Sequence, residues 1–319
     1  MKNNNFIKFR KPYINRYRLS DRRMTLIIGF KCKDGVALVS DTKITDVETG
    51  ESTYNHKIFT PIPNTQFIIG AAGYTHLFQE FNRKVPLVFT EKLNEHLVKN
   101  IKSLIEQGMT REQAFDYIQK LQVKIQQMQQ NAISSDETKT DDDLPIAVLP
   151  YVYNGERFLD DCKTLTKEIS SQRKEEPFPL EVFLGLKQLA YSPTLHYINW
   201  LGKEQSIERY AAIGSGSPHV KMFFEEFYDF NKSMLELIAL AFANIVYVQN
   251  IAKNSGVGYT DEWPPEAVAI YNNGAYGRIR FLNEKEELNK LKKHINKSFR
   301  PKITNLKLPK LTEKPPETT

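Results

Sequence analysis

The order of apolar patterns along this 319-residue chain predicts an α+β fold, with two packed sheets flanked by helix layers. Two observations carry this. The periodicity runs as strands, two helices, strands, two helices and strands. The first strands are rich in Ile, Val and Phe on both faces, which requires cover on both sides of their sheet. At 40% hydrophobic, the chain can bury a sizeable core.

The elements follow in order. Leu26–Cys32 and Val36–Ser40 read as strands around a Lys33-Asp34-Gly35 turn. Phe67–Gly70 reads as a third strand, ending in Gly70-Ala71-Ala72-Gly73, where small residues let backbone approach a ligand closely. A helical pattern starts over Thr75–Phe81 and extends over Thr90–Leu104. The next helix starts at Thr110, an N-cap with Gln113 as its capping-box partner, and Phe115, Ile118, Leu121, Val123 and Ile125 give its apolar face.

Residues 131–178 read as an insertion. Asp136–Asp143 is acidic and poor in apolar residues, which favours a solvated loop over a metal site. Leu144–Tyr153 and the Asn154-Gly155 turn suggest an added hairpin. Leu180–Leu186 and Leu195–Leu201 read as strands separated by a turn at Tyr191-Ser192-Pro193. Helices follow over Pro218–Phe230 and Met234–Lys253, the second with Leu235, Ile238, Phe242, Ile245 and Ala252 along one face. Val268–Tyr271 and Tyr276–Phe281 form a hairpin across Asn272-Asn273-Gly274. Glu284–Phe299 reads as a charged helix and Pro301–Thr319 as a disordered Pro-rich tail.

The organisation expected is therefore a basic leader or propeptide at 1–24, one domain over 25–283, and a basic C-terminal segment over 284–319. The net charge of +6 belongs mainly to the leader. Residues 1–23 hold eight of the 44 Lys and Arg but one of the 38 acids, leaving 36 bases against 37 acids. A nucleic-acid partner is not expected once the leader is gone. No apolar run reaches the ~18 residues of a membrane span, and the leader lacks a secretory apolar core. Two cysteines give no disulfide framework, and a reducing cytoplasm fits best.

Chemistry concentrates at Met24-Thr25. Asp41 lies sixteen residues beyond Thr25 and Lys57 thirty-two beyond. If the working chain begins at Thr25, one residue supplies a hydroxyl nucleophile and an α-amine base beside it. Such an amine titrates near pH ~8, and a neighbouring ammonium lowers it. The leader could be removed by self-cleavage. Alternatively, translation could start at Met24 with an aminopeptidase exposing Thr25, or the arm could be retained.

The ordered set of motifs resembles the proteasome β-subunit family of N-terminal-nucleophile threonine hydrolases, as a divergent archaeal-type homologue. Its residues here are Thr25, Leu26 to Phe30, Lys33-Asp34-Gly35, Asp41 and Lys43, Lys57-Ile58-Phe59, Gly70-Ala71-Ala72-Gly73, the Gly214-Ser215-Gly216-Ser217 element and Ser255-Gly256. Four positions depart from it: Met24 replaces a glycine, Leu26-Ile27 replaces two threonines, and Ala252 stands where an aspartate is expected.

The resemblance implies a four-layer αββα sandwich of the proteasome-like Ntn-hydrolase type. It also implies roles. Thr25 attacks the scissile carbonyl, Lys57 keeps the amine neutral and Asp41 orients Lys57. The Gly70 amide holds the oxyanion, and Ser215 and Ser255 orient the amine or a water. Thr45 binds substrate backbone, while Ile44, Ile68 and Ala72 line an apolar specificity pocket. No cofactor or metal is expected. The partners implied are polypeptide substrates and other subunits of a homo- or hetero-oligomeric ring.

Three functions stay open. The first is a threonine endopeptidase. The second is a peptide ligase or transpeptidase on the same site, similar to the single-chain connectases, in which threonine likewise follows methionine. The third is a scaffold subunit without the chemistry.

Overall fold

The computed structural model describes residues 25–45, 51–60, 67–120, 155–173, 179–187, 191–251 and 256–279. Its strands are β1 (Ile27–Cys32), β2 (Gly35–Ser40), β3 (Lys43–Thr45), β4 (Ser52–Tyr54), β5 (Ile58–Phe59) and β6 (Phe67–Gly73), then β7 (Leu180–Leu186), β8 (Thr194–Ile198), β9 (Glu204–Ser206), β10 (Tyr210–Ile213), β11 (Glu266–Tyr271) and β12 (Tyr276–Ile279). The helices are α1 (Thr75–Glu106), α2 (111–120), α3 (Gly155–Ser170), α4 (Ser217–Phe227) and α5 (Met234–Ile251). Among the described residues, no helix is long and apolar enough to cross a membrane.

Two five-stranded antiparallel sheets form the centre. One runs β10-β1-β2-β11-β12 and the other β5-β6-β7-β8-β9. A separate ribbon pairs β3 with β4. Strand side chains alternate between two faces. Ile27, Leu38, Ile68, Phe183, Leu195 and Val268 therefore meet between the sheets. The opposite face of the first sheet buries Ile28, Phe30, Val39 and Ala267 against α4 and α5. That of the second buries Ile69, Ala71, Val182 and Leu184 against α1 and α3. The result is the four-layer αββα sandwich expected from the sequence.

Several local signals act as read. Gln113 N–H donates to Thr110 Oγ1 at 3.2 Å, and Thr110 N–H donates to Gln113 Oε1 at 2.9 Å, closing the capping box of α2. Thr110→Ala should cost about 1 kcal/mol, seen as a lower urea midpoint at unchanged slope. Gly274 has φ +88°, and its N–H donates to Tyr271 O at 2.9 Å, forming the turn between β11 and β12.

The helical pattern that starts over Thr75–Phe81 and extends over Thr90–Leu104 is one helix, α1, which continues through Pro86. Proline removes one helical hydrogen bond, but Leu77, Phe78, Phe81 and Val85 are buried against the second sheet and hold the rod together. The Asn154-Gly155 turn is replaced by a helix start, since Gly155 opens α3. Phe158, Cys162, Leu165 and Ile169 recur at helical spacing and are buried, so this part of the supposed insertion is core. Helix α5 is buried nearly all round, including Ala239, Leu240 and Ala243, not along a single face. The acidic run at 136–143, the proposed strand at 144–153, and the leader and tail lie outside the described residues.

Candidate active site

The site forms where the starts of β1 and β5 meet the end of β2. The polar residues Thr25, Ser40, Asp41, Lys57 and Glu266 are buried here in an otherwise apolar interior. Buried charge persists only when paired and hydrogen-bonded, and each of these carboxylates is.

Asp41 has no exposed surface. Its Oδ1 accepts from Leu26 N–H at 2.8 Å and from Lys57 Nζ at 2.7 Å, and its Oδ2 accepts from Gly258 N–H at 3.0 Å. Lys57 Nζ also donates to the Lys43 carbonyl. One carboxylate oxygen thus joins the Lys57 ammonium to the amide of the residue after Thr25. Burial pushes the Lys57 ammonium down from the usual lysine range, against the attraction of Asp41. The same burial pushes the Asp41 carboxyl up, against Lys57 and the two amides.

Thr25 is held from the other side by the turn between β10 and α4. Its N–H donates to Ser215 Oγ at 3.3 Å, and its carbonyl accepts from Gly216 N–H at 3.3 Å. Gly214, at φ +89°, makes this close approach possible: a Cβ there would stand 2.2 Å from the Thr25 carbonyl oxygen. Behind the turn, Glu181 accepts from Tyr197 OH at 2.7 Å and from Gly214 N–H at 3.5 Å.

The structure therefore brings Thr25, Asp41, Lys57 and Ser215 together. Ile44 and Thr45 follow Lys43 on β3, with Thr45 Oγ1 3.3 Å from Ser52 Oγ on β4. Ile68 and Ala72 are buried between the sheets, and Ile68 packs against Gly185, so it is a core residue. Gly70 pairs with Ile58, while Ala71 N–H donates to Lys57 O at 3.4 Å. Successive amides of a strand face alternate neighbours. The Gly70 amide is therefore turned towards β7, opposite Phe183. Ser255 lies outside the described residues, though the following segment reaches the site through Gly258.

Glu266 was not legible as a site residue. It opens β11, 5% exposed, directly across from Ser40. Its Oε1 accepts from Lys57 N–H at 2.6 Å, Ile58 N–H at 3.0 Å and Ser40 Oγ at 3.1 Å. Its Oε2 lies 2.9 Å from both His56 Nδ1 and Arg278 Nη1. Burial alone would raise its pKa, but His56, Arg278 and the two amides outweigh this and hold it below the ordinary glutamate range. The available signal was an acid beginning an apolar strand after Pro264-Pro265. A cavity of about 240 Å³ opens beside it, lined by His56, Trp263, Pro264, Arg278 and Ile279 among others. It does not include Thr25. Among the described residues, no group of His, Cys, Asp and Glu could hold a metal ion.

Comparison of the whole fold finds Anbu from Hyphomicrobium sp. strain MC1, with a TM-score of 0.53 and 16% identity, covering 86% of this chain and 95% of that one. Anbu (ancestral beta-subunit) from Yersinia bercovieri matches with a TM-score of 0.53 and 12% identity, covering 86% and 94%. No family model and no curated protein matches the chain. These structures support a proteasome-like fold. They also correct the expected assignment as a divergent archaeal-type homologue of the proteasome β-subunit family. Both of these solved structures are Anbu proteins, and no family match carries the assignment.

Proposed function

We propose that this chain is a threonine-type peptidase whose nucleophile is Thr25 once residues 1–24 are removed. The observation that carries this is the buried Asp41–Lys57 pair, joined through Asp41 Oδ1 to the Leu26 amide. A buried ion pair is a poor stabilising device, and its placement against the candidate nucleophile gives it a catalytic reason.

Thr25 Oγ attacks the scissile carbonyl, and its proton passes to the Thr25 amine, directly or through one water. The tetrahedral adduct collapses to an ester as that proton moves to the leaving amine. Water then attacks the ester, releasing the acid and restoring the hydroxyl. The Lys57 charge keeps the amine neutral, and Ser215 Oγ orients it. Of the amides on β6, that of Ala71 is taken up by the Lys57 carbonyl, and alternation turns the next one on the same side, that of Gly73 at the strand's end, into the candidate for meeting an oxyanion. Ile44 and Thr45 are the candidates for substrate contact. Polypeptides are the substrates this chemistry fits, and a multi-copy assembly is the expected working form.

Intact mass of the wild-type chain beside Thr25→Ala tests the nucleophile. The expected wild-type mass starts at Thr25. Retention of residues 1–24 by Thr25→Ala would show self-cleavage, and their loss from both would show processing by another enzyme. A wild-type chain that keeps residues before Thr25 while cleaving peptides overturns the mechanism. Met24 directly before Thr25 favours a second reading, in which a polypeptide amine resolves the ester and the product is ligated. Product masses separate the two.

A further inference from the structure

We propose that Glu266 is a positioning residue that fixes Lys57 relative to Asp41 and so to Thr25. The proposal rests on the reading of Thr25 as nucleophile.

The argument is geometric. Asp41 follows β2 of the first sheet, while Lys57 directly precedes β5, at the edge of the second. The β5 strand is two residues long and, among the described residues, pairs with β6 alone. So short a strand cannot by itself set where its neighbour's side chain stands. Glu266 supplies the missing constraint. It belongs to β11, beside β2, and its Oε1 gathers Ser40 Oγ from β2 together with the amides of Lys57 and Ile58. One oxygen thus pins the residue before Asp41 and the backbone of Lys57 to the same point. The other oxygen meets Arg278 of β12 and His56, so the carboxylate is compensated on its outer side while its inner side orders backbone. An ordinary buried ion pair needs only the outer partners. The inner three serve no pairing purpose except to join the two sheets beside the candidate nucleophile.

Glu266→Gln separates position from charge. Its amide oxygen can still accept from Lys57, Ile58 and Ser40, whereas Glu266→Met offers no oxygen acceptor, only a weakly accepting thioether, at similar length. Two readouts are taken on the full chain. The first is the rate at which a peptide vinyl sulfone labels Thr25. The second is the NMR resonance of the Lys57 ε-methylene in ¹³C-lysine-labelled protein, identified by its loss in Lys57→Arg. Glu266→Met should slow labelling roughly 10- to 100-fold and move the Lys57 resonance towards the exposed lysines, with Glu266→Gln within about threefold of wild type and its resonance unmoved.

Wild-type labelling and an unmoved resonance in Glu266→Met overturn the proposal, as does a Gln variant as slow as Met. If the Met variant does not fold, Glu266→Asp retains the charge but withdraws the oxygen, and an unchanged rate overturns the proposal equally. A wild-type chain that never labels removes the nucleophile reading. The resonance alone then decides: a shift upholds the hold on Lys57, and no shift overturns it.

Discussion

Lys57→Met should abolish reaction at Thr25 and also destabilise the fold. Lys57 and Asp41 are 3% and 0% exposed in their side chains. Removing the ammonium leaves a carboxylate buried with only two backbone amides, and breaking such a pair costs about 3–5 kcal/mol. For a chain of this size that is a fall on the order of 10 °C in Tm. Calorimetry or a thermal circular-dichroism scan reads it. The double variant Asp41→Asn with Lys57→Met removes both charges and should recover part of the stability while remaining unreactive. The two losses then separate: stability follows the uncompensated charge, and reactivity follows the ammonium itself. A Lys57→Met chain that melts with wild type would mean that the pair is not closed as described.

Gly214→Ala should strike the site from the opposite side. Its φ of +89° is costly for any L side chain, and the added methyl group would sit 2.2 Å from the Thr25 carbonyl. The turn must open, taking with it the Gly216–Thr25 and Ser215–Thr25 hydrogen bonds. The backbone strain costs about 1–3 kcal/mol. The displacement of Thr25 should slow its labelling by on the order of 100-fold, because positioning errors near 1 Å have that effect. Gly108→Ala is the control. Gly108 also has positive φ (+97°), but a Cβ there meets nothing within 4 Å, so it should lose stability and keep the labelling rate. Equal labelling by Gly214→Ala and wild type would remove the turn from the site.

The fold was legible where local chemistry decides it. β7 spans the strand expected over Leu180–Leu186, and Thr110 with Gln113 caps α2 because both partners lie within one turn. Thr25, Asp41 and Lys57 could be picked out by their resemblance to an ordered set of family motifs. Helix α3 was missed because its charged residues mask the Phe158, Cys162, Leu165 and Ile169 stripe. The direction of the Gly70 amide depends on which strands flank β6, and no single-strand pattern encodes that. Glu266 was invisible for a similar reason: its partners Ser40 and Lys57 lie more than two hundred residues away.

That separation governs when the site can exist during synthesis. Thr25 meets Ser215 across 190 residues, Asp41 meets Gly258 across 217, and Ser40 meets Glu266 across 226. Contacts of such high order close late. A ribosome must have released β11 before the Ser40 hydroxyl and the Lys57 and Ile58 amides find the Glu266 carboxylate. The reactive geometry is thus withheld from the nascent chain and assembled only when most of the polypeptide is free of the tunnel.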